Sequence, residues 1–208
     1  MRKLIFNFFR LLLLLLVVVA ASFFNAAFAQ SVNTENRVAA IRKHYAETNE
    51  RISAGLEDHT SGLHHAMYSV GGERDGMQWR AVGTMTIRAE FFFNCEPGDK
   101  EECGTDPRKF LGKIVTSYRG AADLLSNNEY LFNDAGELVF VLDKGNMSGD
   151  DGKIVERRYY FANNNLIRVM HDAQIFDRNF TVEDQTGARE SQAEAKKLRN
   201  LFAMMVDM

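Results

Sequence analysis

The chain has 208 residues, with 25 Lys and Arg against 28 Asp and Glu, and a formal net charge of −3 at pH 7. Residues 1–29 hold three of the basic residues and none of the acidic ones, so the remainder has 22 basic against 28 acidic residues. This acidic balance argues against nucleic acid as the main partner, because phosphate binding requires a basic surface.

Residues 1–29 have the pattern of a secretory signal peptide. A positively charged start precedes the unbroken apolar run Leu11–Ala21, and Ala27-Phe28-Ala29 matches the small-x-small pattern of a cleavage site. We therefore expect cleavage before Gln30, a single domain over residues 30–208, and a periplasmic or secreted location for the mature protein.

Two other roles of the N-terminus fit the residues less well. An uncleaved anchor helix needs about 20 apolar residues, and the uninterrupted run Leu11–Ala21 is shorter than that. A lipoprotein needs a cysteine directly after the cleavage site, where this chain has Gln30. We therefore expect no membrane anchor once the signal peptide is removed.

The first element of the mature chain is predicted to be a helix over Thr34–Ala54. Val38, Ile41 and Tyr45 fall three or four residues apart, which places them on one face of a helix. Gly55 is predicted to end the helix, because glycine adopts the left-handed conformation found after many helix C-termini.

The segment Met77–Phe93 changes to a period of two. Apolar side chains occupy its odd positions and mostly polar ones its even positions, the alternation of a strand with one wet face. The segment is longer than an ordinary strand, so we expect a bend, with Gly83 as the natural place for it.

Cys95 and Cys103 are the two cysteines of the chain. In an oxidising compartment an isolated pair most simply forms a disulfide, here closing a short charged loop. A redox or metal pair is the alternative, but seven intervening residues suit neither a CxxC redox motif nor ordinary zinc-ligand spacing.

The rest of the chain reads as further strands, two hairpins and a final helix. Turn residues separate the paired strands: Asp134-Ala135-Gly136 in one hairpin and Asn163-Asn164-Asn165 in the other. The predicted elements are Phe110–Arg119, Glu129–Asn133 with Glu137–Asp143, Lys153–Ala162 with Leu166–Ile175, and the helix Ser191–Val206.

These elements predict an α+β fold. Successive hairpins without a linker favour one antiparallel β-meander sheet of six or seven strands. We expect the N-terminal and the C-terminal helix to pack together on the apolar face of this sheet, which leaves the polar face open to solvent.

Histidines are the first candidates for a catalytic or metal site. His59, His64 and His65 lie close together in the sequence, but a zinc site needs at least three ligands that converge. Adjacent residues of a strand point to opposite faces, so His64 and His65 cannot both join His59. We therefore predict no metal site, no cofactor and no catalytic residue.

Arginines interleaved with aromatic residues are the better candidates, since this composition is typical of binding surfaces. The alternative is a cross-strand charge ladder in which Arg pairs with Glu90, Glu156 and their neighbours. The candidate ligand-binding residues are Arg80, Arg88, Arg158, Tyr160 and Arg168.

Three segments, Glu129–Asp143, Glu156–Phe161 and Asn165–Val169, form an aromatic, arginine-containing β-meander in a chain that starts with a signal peptide. In this the chain resembles a loose group of secreted bacterial proteins. The resemblance implies the meander; the group carries no assigned reaction, so it implies no functional residue.

The sequence leads to a non-catalytic binding module as the first hypothesis for function. Its partner would be a protein or a cell-envelope ligand, and a loop stiffened by Cys95–Cys103 would suit an inhibitor-like role. Two alternatives remain: an envelope hydrolase with a site near His59–His65, and a structural part of an envelope assembly. The oligomeric state stays open.

Overall fold

The fold was analysed on a computed structural model. It describes residues 33–58, 62–71, 77–79, 83–95, 106–120, 124–146 and 152–206, with the backbone alone for 77–79, 83 and 84. By its internal contacts the chain divides into two units, residues 1–39 and residues 40–208. The predicted signal peptide, residues 1–29, lies outside the described residues.

The second unit contains most of a first helix, a series of strands and a long second helix. Helix α1 covers residues 33–58 and α2 covers Val182–Val206. Between them lie β1 (His64–Val70), β2 (Met77–Trp79), β3 (Gly83–Phe93), a short 3-10 helix (Pro107–Phe110), β4 (Leu111–Arg119), β5 (Leu125–Phe132), β6 (Leu138–Gly145), β7 (Val155–Ala162), β8 (Asn165–His171) and β9 (Gln174–Phe176).

The strands form an antiparallel meander, as the sequence predicts. Eight of them run in the order β1-β3-β4-β5-β6-β7-β8-β9, and the short β2 pairs with the first residues of β3. The predicted count of six or seven strands is therefore too low. One reason is that the predicted strand Leu166–Ile175 is divided by a turn at Asp172, whose φ is +49°, into β8 and β9.

One face of the sheet carries the main core and is covered by α2; we call it the α2 face. The register places Phe91, Ile114 and Tyr130 in one row across β3, β4 and β5, and directly paired residues share a face. The ring of Phe202 on α2 lies 5.6 Å from that of Phe91. Ala188, Ala195 and Leu198 of α2 belong to the same buried cluster.

The other face is covered in part by α1, and we call it the α1 face. The neighbouring row across the sheet contains Phe92, Lys113, Leu131, Phe140 and Tyr160. All five are buried. The prediction that both helices pack on one face is therefore wrong. The second face is not uniformly polar. Its buried row is mostly apolar and must be shielded from solvent.

The predicted long strand Met77–Phe93 is a hairpin, which corrects the expectation of one bent strand. Met77 pairs with Met85 and Trp79 pairs with Gly83, so the chain reverses direction between β2 and β3. A regular alternation does not distinguish one long strand from two short strands joined by a tight turn, because the period continues across such a turn.

Helix α1 continues for three residues beyond Gly55, so the prediction that this glycine ends the helix is wrong. The segment that follows the helix packs closely against it. A Cβ on Gly62 would lie 2.0 Å from the carbonyl oxygen of Arg51 and 2.7 Å from the amide nitrogen of Gly55. Gly62 thus permits a close approach of two backbone segments.

Helix α2 begins at Val182, nine residues before the predicted start at Ser191. A reciprocal cap explains the earlier start. The backbone amide of Asp184 donates to the Thr181 hydroxyl, and the Thr181 amide donates to the Asp184 carboxylate. Such a capping box satisfies two amide groups that the first turn of a helix leaves without partners.

Both predicted hairpin turns are confirmed. Asn163 and Asn164 have φ values of +50° and +61° between β7 and β8, the left-handed conformation that asparagine tolerates best after glycine. Gly136 has a φ of +74° between β5 and β6, and the Asn133 side chain accepts the amides of Ala135 and Glu137 there.

Candidate binding surface on the α1 face

A polar contact set fixes α1 to the sheet. The Tyr45 hydroxyl donates a 2.6 Å hydrogen bond to Glu129, and the ammonium of Lys113 lies 2.7 Å both from Glu129 and from the Asn49 side-chain oxygen. The Lys113 side chain is only 5% exposed. Burial and the hydrogen bond to Glu129 raise the pKa of Tyr45 to about 12, so the tyrosine stays a donor at neutral pH.

Two further residues extend this attachment. His44 Nε2 lies 2.9 Å from the carbonyl oxygen of Phe132 on β5. The Arg42 guanidinium donates to the Tyr160 hydroxyl at 3.5 Å and lies over the Tyr160 ring, 5.8 Å from its centroid. Because these contacts reach β5 and β7, they hold α1 across several strands. The part of the α1 face beyond the helix is left uncovered.

The uncovered part of the α1 face is a row of polar side chains, which we call the open surface. The register aligns them directly across β3, β4, β5, β6 and β7, and each is exposed or half-buried. The row consists of Arg88, Ser117, Asn127, Lys144 and Glu156.

A groove of about 470 Å³ lies at the β1–β5 end of the open surface. Arg88, Ser117 and Asn127 of the open surface line it. Met67 and Arg119 also line it, and the Met67 side chain is left 49% exposed. The groove therefore combines two arginines, small polar groups and an exposed apolar side chain.

A smaller pocket of about 250 Å³ lies between α1 and the sheet. Its walls are Ile41, Arg42 and Tyr45 from the helix, with Arg158 and Tyr160 from β7. The helix thus creates a second concavity on the same face as the groove.

The sequence-predicted ligand residues are partly brought together. Arg88, Arg158, Tyr160 and Arg168 share the α1 face, as the register shows, whereas Arg80 lies outside the described residues. Tyr160 and Arg168 are buried, at 2% and 3% exposure. Arg168 donates to both carboxylate oxygens of Asp177, at 2.5 and 2.8 Å, an arrangement typical of a structural ion pair.

Arg88 and Arg158 take part in the predicted charge pairs. Arg88 Nε lies 2.9 Å from Glu90, and the Arg158 guanidinium contacts Glu156. Both pairs run along one strand, two residues apart, rather than across strands. The Arg88 and Arg158 side chains nevertheless stay 46% and 39% exposed, so the pairing leaves donors accessible from solvent.

The histidines do not converge. His64 pairs with Phe93 on the α2 face and His65 stacks on Phe92 on the α1 face, while His59 lies outside the described residues. Among the residues that the structure describes, no three His, Cys, Asp or Glu side chains are grouped to hold a metal ion.

Sequence reasoning missed two features, one on each face of the sheet. Met67 and Arg119 line the groove, although neither was a predicted site residue. The alternation of β1 and the end of β4 shows which residues of each strand share a side. Which face of the sheet that side forms depends on the register between the strands. Sequence reasoning also missed the pair of His171 with Asp184, 2.6 Å apart. Burial raises the pKa of Asp184, but hydrogen bonds from Thr181 and His171 together outweigh it and hold this pKa below its usual range.

Cys95 lies two residues after the end of β3 and is fully buried. Cys103 lies outside the described residues, so the Cys95–Cys103 bridge stays a prediction. Within the part of the chain that the structure describes, no helix has the length and apolar character needed to cross a membrane.

The chain was compared with family models, curated proteins and solved structures, and none of them matches it. The resemblance to secreted bacterial β-meander proteins therefore stays a hypothesis, and no residue role comes from a relative.

Proposed function

We propose that the protein is a non-catalytic binding module that acts in the periplasm or after secretion and recognises a protein partner. The groove at the edge of the open surface is the observation that carries this proposal, because it places Arg88, Arg119 and Met67 together where a partner can reach them. Arginine and methionine are enriched in protein interfaces relative to the rest of a protein surface.

The charge pattern favours a protein over a uniformly charged ligand. Lys144 and Glu156 lie 3.8 Å apart on the open surface, and Arg88 pairs with Glu90 beside it. A surface of both signs selects a partner of complementary pattern, and such complementarity contributes mainly to specificity and association rate.

The rigidity of the site supports the same proposal. Arg88, Ser117 and Asn127 lie on strands that pair with a neighbour on each side, so the backbone that carries them is fixed before binding. A preorganised surface loses less conformational entropy on association than a mobile one. The proposal includes an inhibitor-like role, in which the predicted Cys95–Cys103 loop inserts into the partner.

The alternative of a hydrolase near His59–His65 gains no support from the geometry. His64 and His65 lie on opposite faces of the sheet, so one cleft cannot contain both. A structural role in an envelope assembly is separated from a recognition role by the experiment below, since an assembly partner need not contact the groove.

The test is an affinity capture from extracts of the producing cells, with the mature chain as bait. The charge reversal Arg88→Glu/Arg119→Glu alters the groove, and Arg189→Glu/Lys197→Glu makes the same charge change on the exposed side of α2. We expect a stoichiometric protein partner that the groove variant loses at least about tenfold and the α2 variant retains. Equal capture by both variants would exclude the groove as the binding site.

A further inference from the structure

A second concavity, of about 530 Å³, lies away from the α1 face, between α2 and the 3-10 helix. Its volume falls within the range of small-molecule sites, roughly 300–1,000 Å³. The side chains that line it and bear on its chemistry are Asp106, Arg108, Asn164, Gln192, Lys196 and Arg199. We call it the basic pocket, because three cationic side chains face one carboxylate.

The Arg199 guanidinium is held in place by two contacts, but one of its hydrogen-bond donors has no partner among the described residues. Its guanidinium carbon lies 5.4 Å from the centroid of the Phe132 ring, and Nη2 donates to the carbonyl oxygen of Arg108 at 3.3 Å. Its Nε is buried and has no hydrogen-bond partner among the described residues. A buried donor without a partner costs about 1–3 kcal/mol, more when the group is charged.

Arg108 is fixed by its neighbours at the mouth of the pocket. Its Nε and Nη2 donate to the two carboxylate oxygens of Asp106, at 2.6 and 3.2 Å, and Nη1 donates to the Asn200 side chain at 3.2 Å. The single carboxylate of the pocket is therefore engaged. Burial and the nearby Arg108 charge lower the pKa of Arg199 by more than the Asp106 charge raises it.

Lys196 and Gln192 complete the wall from α2. Lys196 is exposed and has no carboxylate within ion-pair distance in the part of the chain that the structure describes. The Gln192 amide nitrogen donates to the carbonyl oxygen of Asn164 at 2.9 Å, which orients the side chain and leaves its amide oxygen as an acceptor.

We propose that the basic pocket binds the oxyanion, phosphate or carboxylate, of a sugar-sized ligand. Arg199 and Lys196 would hold the oxyanion, because guanidinium and ammonium donors form short, charge-assisted hydrogen bonds to such groups. The oxygen of Gln192 would accept from a hydroxyl group of the ligand. This proposal is independent of the open surface, which lies on the opposite side of the sheet.

Isothermal titration of the full mature chain tests it with three probes: glucose 6-phosphate, glucuronate and glucose. We expect at least one of the two anionic sugars to bind, with an affinity that falls as salt rises, and neutral glucose not to bind. Binding of the phosphate alone or of the carboxylate alone would identify the oxyanion. Absence of binding by both anionic probes at millimolar concentration would overturn the proposal.

Variants locate the binding. Lys196→Gln should weaken it several-fold, whereas Lys197→Gln, which removes a neighbouring cation that pairs with Glu194, should leave it unchanged. Arg199→Lys keeps the charge but loses the planar fork, and should weaken binding about tenfold. Equal effects of the two lysine variants, or unchanged affinity in Arg199→Lys with native stability, would contradict the assignment.

Discussion

The Tyr45 hydroxyl donates a 2.6 Å hydrogen bond to the carboxylate of Glu129. The same carboxylate lies 2.7 Å from the buried ammonium of Lys113, so one acceptor joins α1 to two strands of the sheet. This contact sets the boundary on the α1 face between the part under the helix and the open surface beyond it.

Glu129→Gln is expected to lower the free energy of unfolding by about 2–4 kcal/mol, because it leaves the buried Lys113 cation without its counterion. Tyr45→Phe should cost about 1 kcal/mol, the usual value of one hydrogen bond. Urea denaturation at pH 7 measures both. Glu47→Gln removes an exposed partner of Lys43 and should change stability by less than about 0.5 kcal/mol; an equal loss in this control would contradict the account.

Asp184→Asn tests the cap of α2 through its pH dependence. The folded-state pKa of Asp184 is lowered, so its charge stabilises the fold above the unfolded pKa of about 3.9 and this contribution disappears as pH falls through the lower folded pKa. We expect a loss of about 1–2 kcal/mol at pH 7.

The stability difference between Asp184→Asn and the parent should shrink as the pH is taken below about 4. Denaturant titrations at several pH values between neutral and acidic measure this. Asp134→Asn, in an exposed turn, is the matched control and should show little difference at any pH. A stability difference for Asp184→Asn that grows toward acid has the wrong sign for this account.

Gly62→Ala should destabilise the protein by more than about 2 kcal/mol, because the added methyl group would meet the Arg51 carbonyl and the φ of +84° disfavours any L side chain. Gly152→Ala shares a positive φ but meets no atom within 4 Å, so it should cost about 1 kcal/mol. Thermal unfolding separates the two, and similar costs would show that close packing at Gly62 is unimportant.

Reduction of the predicted Cys95–Cys103 bridge should lower stability by about 2–3 kcal/mol, the value expected for closing a short loop. Thiol titration of the unfolded, unreduced protein should detect no free thiol, and denaturation with and without a reductant measures the loss. Two free thiols in protein purified from an oxidising compartment would rule out the bridge.

Much of the fold follows from the sequence because it depends on local patterns. The alternation of strands, the asparagine turn at Asn163 and Asn164, and the glycine turn at Gly136 each act over a few residues. The early start of α2 could in principle be predicted, since Thr181 and Asp184 have the spacing of a capping box. The first turn of the helix is polar, however, so the helical period of apolar residues is hidden there.

The faces of the sheet could not be assigned with the same success. Phe92 is an apolar residue at a polar position in the alternation of β3, yet it belongs to a row of buried side chains on the α1 face. Whether a single apolar residue at a polar position belongs to a buried row depends on the register of strands that are distant in the sequence. For the same reason the predicted set combined the exposed Arg88 and Arg158 with the buried Arg168 and left out Arg119.

The central claim is that the groove contacts a partner, and photo-crosslinking in the producing cell measures this most directly. A photoreactive amino acid replaces Asn127, which is exposed in the groove, and in a control it replaces Lys197, whose side chain is 76% exposed on α2. The account predicts a discrete protein adduct from position 127 and none from position 197. No adduct from position 127, or the same adduct from both positions, would contradict it.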